Sequence, residues 1–247
     1  MTDRTQSARD KGEFQRLARL VTDALTKYDE VRAVCLAGSV ARGNHQSDSD
    51  LDLIVITEQR LRRSDLLGRL PEGLRDGRVS LLSFSREQWL EEARDGSLFV
   101  HHVRLEGQPL FDPEGVLRQG LALSAARAPN VARELRRQLN RLRLYREPER
   151  LNGQHLFALS HLYAIGKAVA IARCVGLGEN TFVKEHALSR LAARRPDLAS
   201  DVAVIERLRP FYDLTRDRES GPLPFEPVGA APEVVRARRS IERLAHG

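Results

Sequence analysis

The chain has 247 residues, enough for one large domain or two modest ones. It is 41% hydrophobic but only 5% aromatic, so its core must rest on Leu, Val, Ile and Ala; a formal net charge of +6 suits a phosphate-rich partner, an NTP or a nucleic acid. Cys35 and Cys174, the only cysteines, form no CxxC pair, which excludes a disulfide framework and a thiolate zinc site.

Phe14, Leu17, Ala18, Val21, Ala24, Leu25 and Tyr28 recur at three- and four-residue steps and predict an amphipathic first helix. Val31–Ala37 is a short apolar run that reads as a buried strand ending in Gly38-Ser39. After a polar loop, residues 50–57 (DLDLIVIT) read as a second strand, residues 78–84 as a third, and residues 98–105 as a fourth following a helix around Trp89. Gly107-Gln108-Pro109 reads as a turn, and Asp112-Pro113 closes this α/β part at about residue 114. From residue 115 onward the patterns are helical. Val131, Leu135, Leu139 and Leu142 form an apolar stripe whose opposite side carries Arg133, Arg136, Arg137, Arg141 and Arg143. Further helices are expected at about 155–175, 183–194 and 198–214. The stretch 219–232 holds four prolines and two glycines, reads as an extended linker, and leads to a short charged terminal helix. The expected fold is therefore α/β (α+β): a small mixed-sheet head over 1–114, then an all-helical bundle over 115–247. A polar N-terminus without a signal-peptide core, and an apolar stretch over 163–178 interrupted by Lys167 and Arg173, lead to the expectation of a cytoplasmic protein with no membrane partner.

The chemistry concentrates in GSVARGNHQSDSDLDL, residues 38–53. Alternate residues of a strand share a face, so Asp50 and Asp52 point the same way, roughly 7 Å apart, while Leu51 and Leu53 enter the core and fix the register. Two carboxylates on a rigid strand suit Mg²⁺, a hard cation that works alongside substrate phosphates, in a one- or two-metal site. Gly38 lets the backbone approach a phosphate, the Ser39 hydroxyl adds a hydrogen bond, and Arg42 supplies a cationic fork. Singly, each piece has a bland explanation as a turn or a solvated surface. A strand, Gly-Ser, a ten-residue gap (40–49) and Asp-x-Asp opening another strand form a much more specific combination.

These residues resemble the nucleotidyltransferase superfamily related to DNA polymerase β, whose signature is Gly-Ser, a spacer, then Asp-hydrophobic-Asp. Gly38, Ser39, Asp50 and Asp52 match it, and the fuller form GSxARGxxxxxSDxDL is matched by Ala41, Arg42, Gly43, Ser49 and Leu53. The pattern is similar to the bacterial branch of minimal and aminoglycoside nucleotidyltransferases, and Glu106-Gly107 before Leu110-Phe111 suits that branch. The resemblance implies an EC 2.7.7-type transferase. Asp50 and Asp52 would be its catalytic metal ligands; Gly38, Ser39, Arg42 and Ser49 would bind the NTP, ATP being the expected one. The tail is similar in pattern to kanamycin-nucleotidyltransferase C-terminal and HEPN-like bundles, in which an inward lysine reaches the triphosphate; Lys167 is the candidate, with a lysine snorkelling from a core helix as the plain alternative. One departure stands out. Active members of the family usually add a third carboxylate on a later strand, whereas RVSLLSF offers Ser80 and then Leu82 there, with Asp76 and Glu106 as substitutes nearby in sequence.

His101 and His102, if on a strand, face opposite ways and form no paired site. Arg150 and His155 give the R-x4-H spacing of a HEPN ribonuclease motif, but between the first two tail helices rather than late in the bundle. The arginine-rich helix from Arg133 to Arg146 suits a nucleic-acid backbone as well as a solvated face. Three functions remain open: transfer to a small molecule received between head and tail, transfer to an RNA end or a side chain of a partner protein, or nucleotide binding without catalysis.

Overall fold

In the computed structural model, residues 2–45, 49–75, 77–179, 186–216 and 221–247 are described. The chain divides into two compact units, Met1–Pro129 and Asn130–Gly247.

The first unit runs α1 (Thr2–Leu25), β1 (Val31–Ala37), α2 (Gly38–Arg42), β2 (Leu51–Thr57), α3 (Arg63–Gly68), β3 (Val79–Ser85), α4 (Arg86–Arg94), α5 (Leu98–Glu106), β4 (Gln108–Phe111) and α6 (Val116–Ala125). Its mixed sheet has the order β3-β2-β1-β4, with β1 antiparallel to β2 and β4, and β2 parallel to β3. Both faces are covered, which is why β2 reads as an almost unbroken apolar run. On one face Val34, Leu36, Leu51, Leu53, Val55, Val79 and Leu81 pack with Phe14, Ala18, Val21 and Leu25 of α1. On the other, Ala33, Cys35, Ile54 and Ile56 pack with Trp89, Val100, Val103 and Leu117. The strict alternation of the two sets pins the register, since a one-residue slip would exchange every side chain between the two cores.

Two expectations are corrected. Residues 98–105 form helix α5 rather than a strand, and the fourth strand is Gln108–Phe111, read from sequence as a turn. Val100, Val103 and Phe99 favour a strand locally, yet a nine-residue apolar segment is ambiguous, and packing against α4 and α6 decides for the helix. Pro109 is tolerated because β4 is an edge strand paired only with β1.

Although the sequence pattern turns helical near residue 114, α6 belongs to the first unit. The fully buried Trp89 is the reason: its indole N–H donates to the Leu117 carbonyl at 3.4 Å. A Cβ at Gly120 would lie 2.1 Å from Trp89 Nε1, so only glycine lets α6 approach so closely.

The second unit contains α7 (Val131–Leu142), α8 (His155–Gly176), α9 (Ala187–Arg194), α10 (Ala199–Glu206), α11 (Arg209–Leu214) and α12 (Ala231–His246). Helix α8 is its axle, packed by α7, α9, α10, α11 and α12. At 22 residues, with an 18-residue window of mean hydropathy 1.3, it is longer than the stretch read from sequence, and it serves here as a core helix, with Leu159, Leu162, Ile165, Val169 and Ala170 fully buried. The single helix expected over 198–214 is broken into α10 and α11, because Pro210 lacks the N–H for an unbroken ladder and sits instead in the first turn of α11. Pro232, assigned to the linker, lies likewise in the first turn of α12. The R-x4-H pair builds no site: Arg150 pairs with Glu147, while the buried His155 sets its Nδ1 3.2 Å from the Pro227 carbonyl.

A chain ending at Pro129 is expected to melt cooperatively, and one ending at Glu114 to lose that transition. Removing the buried Val116 and Leu117 alone forfeits about 1.5–3 kcal/mol each and uncovers Trp89. Equal melting temperatures for the two chains would refute this role for α6.

Candidate active site

The turn from β1 into α2 faces the start of β2. Antiparallel pairing sets Ala37 opposite Asp52, so the residue after Ala37 stands beside the Asp52 side chain. That residue is Gly38, with φ +71°, a left-handed conformation open chiefly to glycine. A Cβ there would lie 2.3 Å from Asp52 Oδ2. The carboxylate therefore occupies the space that any side chain at 38 would fill. Helix α2 closes one turn later at Gly43, also left-handed at φ 73°, and the Asn44 N–H donates to the Ser39 carbonyl at 3.1 Å. Gln46, Ser47 and Asp48 lie outside the described residues.

Asp50 and Asp52 are both half-buried, while Leu51 and Leu53 between and beyond them are buried on the α1 face. Asp52 thus belongs to the stripe continued by Ile54 and Ile56, and Asp50 directly precedes that stripe. Ser39 and Ser49 are half-buried close by in the chain. Arg42 is engaged elsewhere: its Nη1 donates to Glu106 Oε2 at 2.7 Å, and His102 Nε2 lies 2.8 Å from the same oxygen. Burial alone would raise the Glu106 pKa, but hydrogen bonds and charge from Arg42 and His102 outweigh it and hold the carboxyl below its ordinary value. This cluster ties α2 to α5. It was hidden in the sequence because His102 and Glu106 meet at i,i+4 only on a helix. His101, on the same helix, is buried in the core; burial, then the Arg104 charge, lowers its pKa.

Lys167 belongs to the second unit, where its ammonium lies over the rings of Tyr163 at 5.1 Å and Tyr212 at 4.7 Å. On β3, Ser80 pairs in register with Asp52 and Leu82 with Ile54. The strand neighbour of Asp52 is therefore a hydroxyl and not a third acid. Asp76 lies outside the described residues, and Glu106 is committed to Arg42. Among the described residues no three His, Cys, Asp or Glu side chains converge as a metal site.

The family model described as "Polymerase beta, Nucleotidyltransferase" matches residues 20–113. This head is a nucleotidyltransferase domain of the polymerase β type. The match begins within α1 and ends just beyond β4, so it contains the whole sheet, the Gly38 turn and both aspartates. No curated protein matches the chain significantly. Within the nucleotidyltransferase domain α6 is an addition beyond the matched segment, attached through Trp89.

Gly38→Ala is expected to displace the Asp52 carboxylate and to cost about 1–3 kcal/mol of stability from backbone strain, read by denaturant unfolding. A variant as stable as the parent would show that the close approach is not real. Glu106→Gln tests the α2–α5 tie. A carboxylate whose folded pKa is depressed contributes stability that is complete above its unfolded value of about 4.5 and is lost as pH falls through the folded value. The parent should therefore lose stability on acidification below about pH 4.5 more steeply than Glu106→Gln, measured as unfolding midpoint against pH. Superimposable acid limbs would contradict the pairing.

Proposed function

We propose that this chain transfers a nucleoside monophosphate from an NTP, ATP being the expected donor, to a hydroxyl group, with Mg²⁺ held by Asp50 and Asp52. The observation that carries the reading is the Asp52 carboxylate seated against a glycine that admits no Cβ, at the mouth of the Gly38-Ser39 turn. The donor set fits magnesium: two hard carboxylate oxygens, one on β2 and one on the residue just before it, leaving further positions for phosphates and water. When bound, the metal neutralises the triphosphate and polarises the reacting phosphoryl group.

The chain's own part is positional. Asp50 and Asp52 hold the cation, the bare backbone at Gly38 admits the phosphates, and the Ser39 hydroxyl donates to one of them. The acceptor oxygen forms its bond to the α-phosphorus as the bond to the bridging oxygen of the β-phosphate breaks, pyrophosphate leaves, and the acceptor's hydroxyl proton passes to solvent water. With Arg42 turned to Glu106, and Lys167 in the other unit, the reading rests on Gly38, Ser39, Asp50 and Asp52. The acceptor is either a small molecule or a macromolecule, an RNA end or a protein side chain. Ser80 favours a second reading, since a serine hydroxyl beside Asp52 cannot take the acceptor's proton at neutral pH. In that reading the domain binds nucleotide without transferring it.

Incubation with Mg²⁺, α-labelled NTPs and cell extract separates these outcomes. Label in small molecules, in RNA or in protein identifies the acceptor class; saturable ATP binding without transfer supports the second reading. Asp50→Asn with Asp52→Asn is expected to lower transfer by on the order of 10³-fold, the loss of several kcal/mol of metal-assisted stabilisation, while leaving the melting temperature within a few degrees. Undiminished transfer by the double variant sinks the assignment.

A further inference from the structure

Helix α7 is amphipathic in an unusual way. Leu135, Leu139 and Leu142 turn toward the core of the second unit, and the solvent side presents Arg136, Asn140 and Arg143, continued by Arg146 after a single 3-10 turn. The end of α12 brings Glu242 and His246 alongside, and together these residues line a groove of about 390 Å³.

Many other arginines of this unit have carboxylate partners, among them Arg137 with Glu134, Arg195 with Asp197, Arg209 with Asp213, Arg236 with Glu233, and Arg243 with Asp201, while Arg141 meets Gln138 and His161, and Arg207 and Arg216 lie over aromatic rings. Glu242, the one acid of the groove, is paired with Arg238. Among the described residues Arg136, Arg143 and Arg146 have no such partner, so three like charges are gathered in a groove whose single carboxylate is already paired with another arginine. The C-terminus of α12 adds a partial negative charge of about half a unit, too little to offset three full ones. Guanidinium groups match phosphate oxygens as planar forks. At about 1.5 Å rise per residue, Arg136 and Arg143 are separated by roughly 10 Å along the axis, which suits a run of phosphates in a strand better than a single triphosphate.

We infer that this groove binds the phosphodiester backbone of a nucleic-acid strand, without reading its bases. The inference does not depend on catalysis at Asp50 and Asp52. It is tested by fluorescence anisotropy of labelled single-stranded RNA and DNA oligonucleotides with the full chain in EDTA, which removes metal-dependent nucleotide binding from the readout.

Both oligonucleotides should bind, with log K falling against log salt at a slope of about −2, the value for three phosphate contacts on a single strand. Arg136→Gln/Arg143→Gln/Arg146→Gln should flatten that slope by about two and weaken binding by 10-fold or more near 0.1 M salt, about 1.4 kcal/mol. Arg143→Gln alone should flatten it by roughly 0.7, which guards against a misfolded triple variant. The control Arg137→Gln/Arg209→Gln/Arg236→Gln removes the same charge from paired arginines and should bind like the parent. Unchanged binding by the triple variant, or an equal loss in the control, overturns the inference. So does complete displacement of the oligonucleotide by inorganic pyrophosphate at equal phosphate concentration, which would make the groove a site for small phosphates.

Discussion

The head depends on the antiparallel pairing that puts Ala37 against Asp52. Once that register is set, the next residue of the first strand must pass beside a carboxylate, and only a residue without Cβ and with access to positive φ can do so. The register is held by apolar burial on both faces of the sheet, with Leu51 and Leu53 beneath α1 and Ile54 and Ile56 beneath the later helices. Two cores, each worth far more than any polar contact at the site, thus hold two aspartates at the end of a strand. The charged residues are placed by hydrophobic packing that they take no part in.

Around this centre, polar groups are spent on holding elements together. Arg42 lies within the signature segment, yet its guanidinium binds Glu106, which in turn meets His102, and so the short helix after the glycine turn is fastened to α5. Lys167 is in a comparable position in the second unit, its charge set over two tyrosine rings. Both residues show that a cation in the expected place can be committed to structure. The arginines of the α7 groove are the reverse case, three cations without a carboxylate partner gathered on one surface of the unit. A charge run becomes informative only when the partners of each member are known.

Much of the candidate site was legible in the residues. Gly38, Ser39, Asp50 and Asp52 stand out because strand periodicity, a turn glycine and paired acids coincide over a short segment, and the flanking β-branched and aliphatic run leaves little freedom in how they are placed. The absence of an acid at Ser80 was also readable, since β3 continues the same alternation beside β2. Residues 98–106 were not readable, because Val, Phe and His there satisfy helix and strand templates alike until α4 and α6 supply a surface to pack on. The reach of the head to Pro129 was equally hidden, for nothing local to Leu117 or Gly120 announces that Trp89 lies against them.

The amino-acid order alone therefore determined the kind of domain, the strands that carry the acids, and the helical character of everything after the sheet, because periodicity and turn chemistry act over a few residues. Tertiary structure decided which strand closes the sheet, where the first unit ends, that Arg42 answers to Glu106, and which arginines on and just after α7 lack a carboxylate partner. Those outcomes join residues far apart in the chain, and long-range packing and pairing energies leave no periodic trace in the sequence that would reveal them.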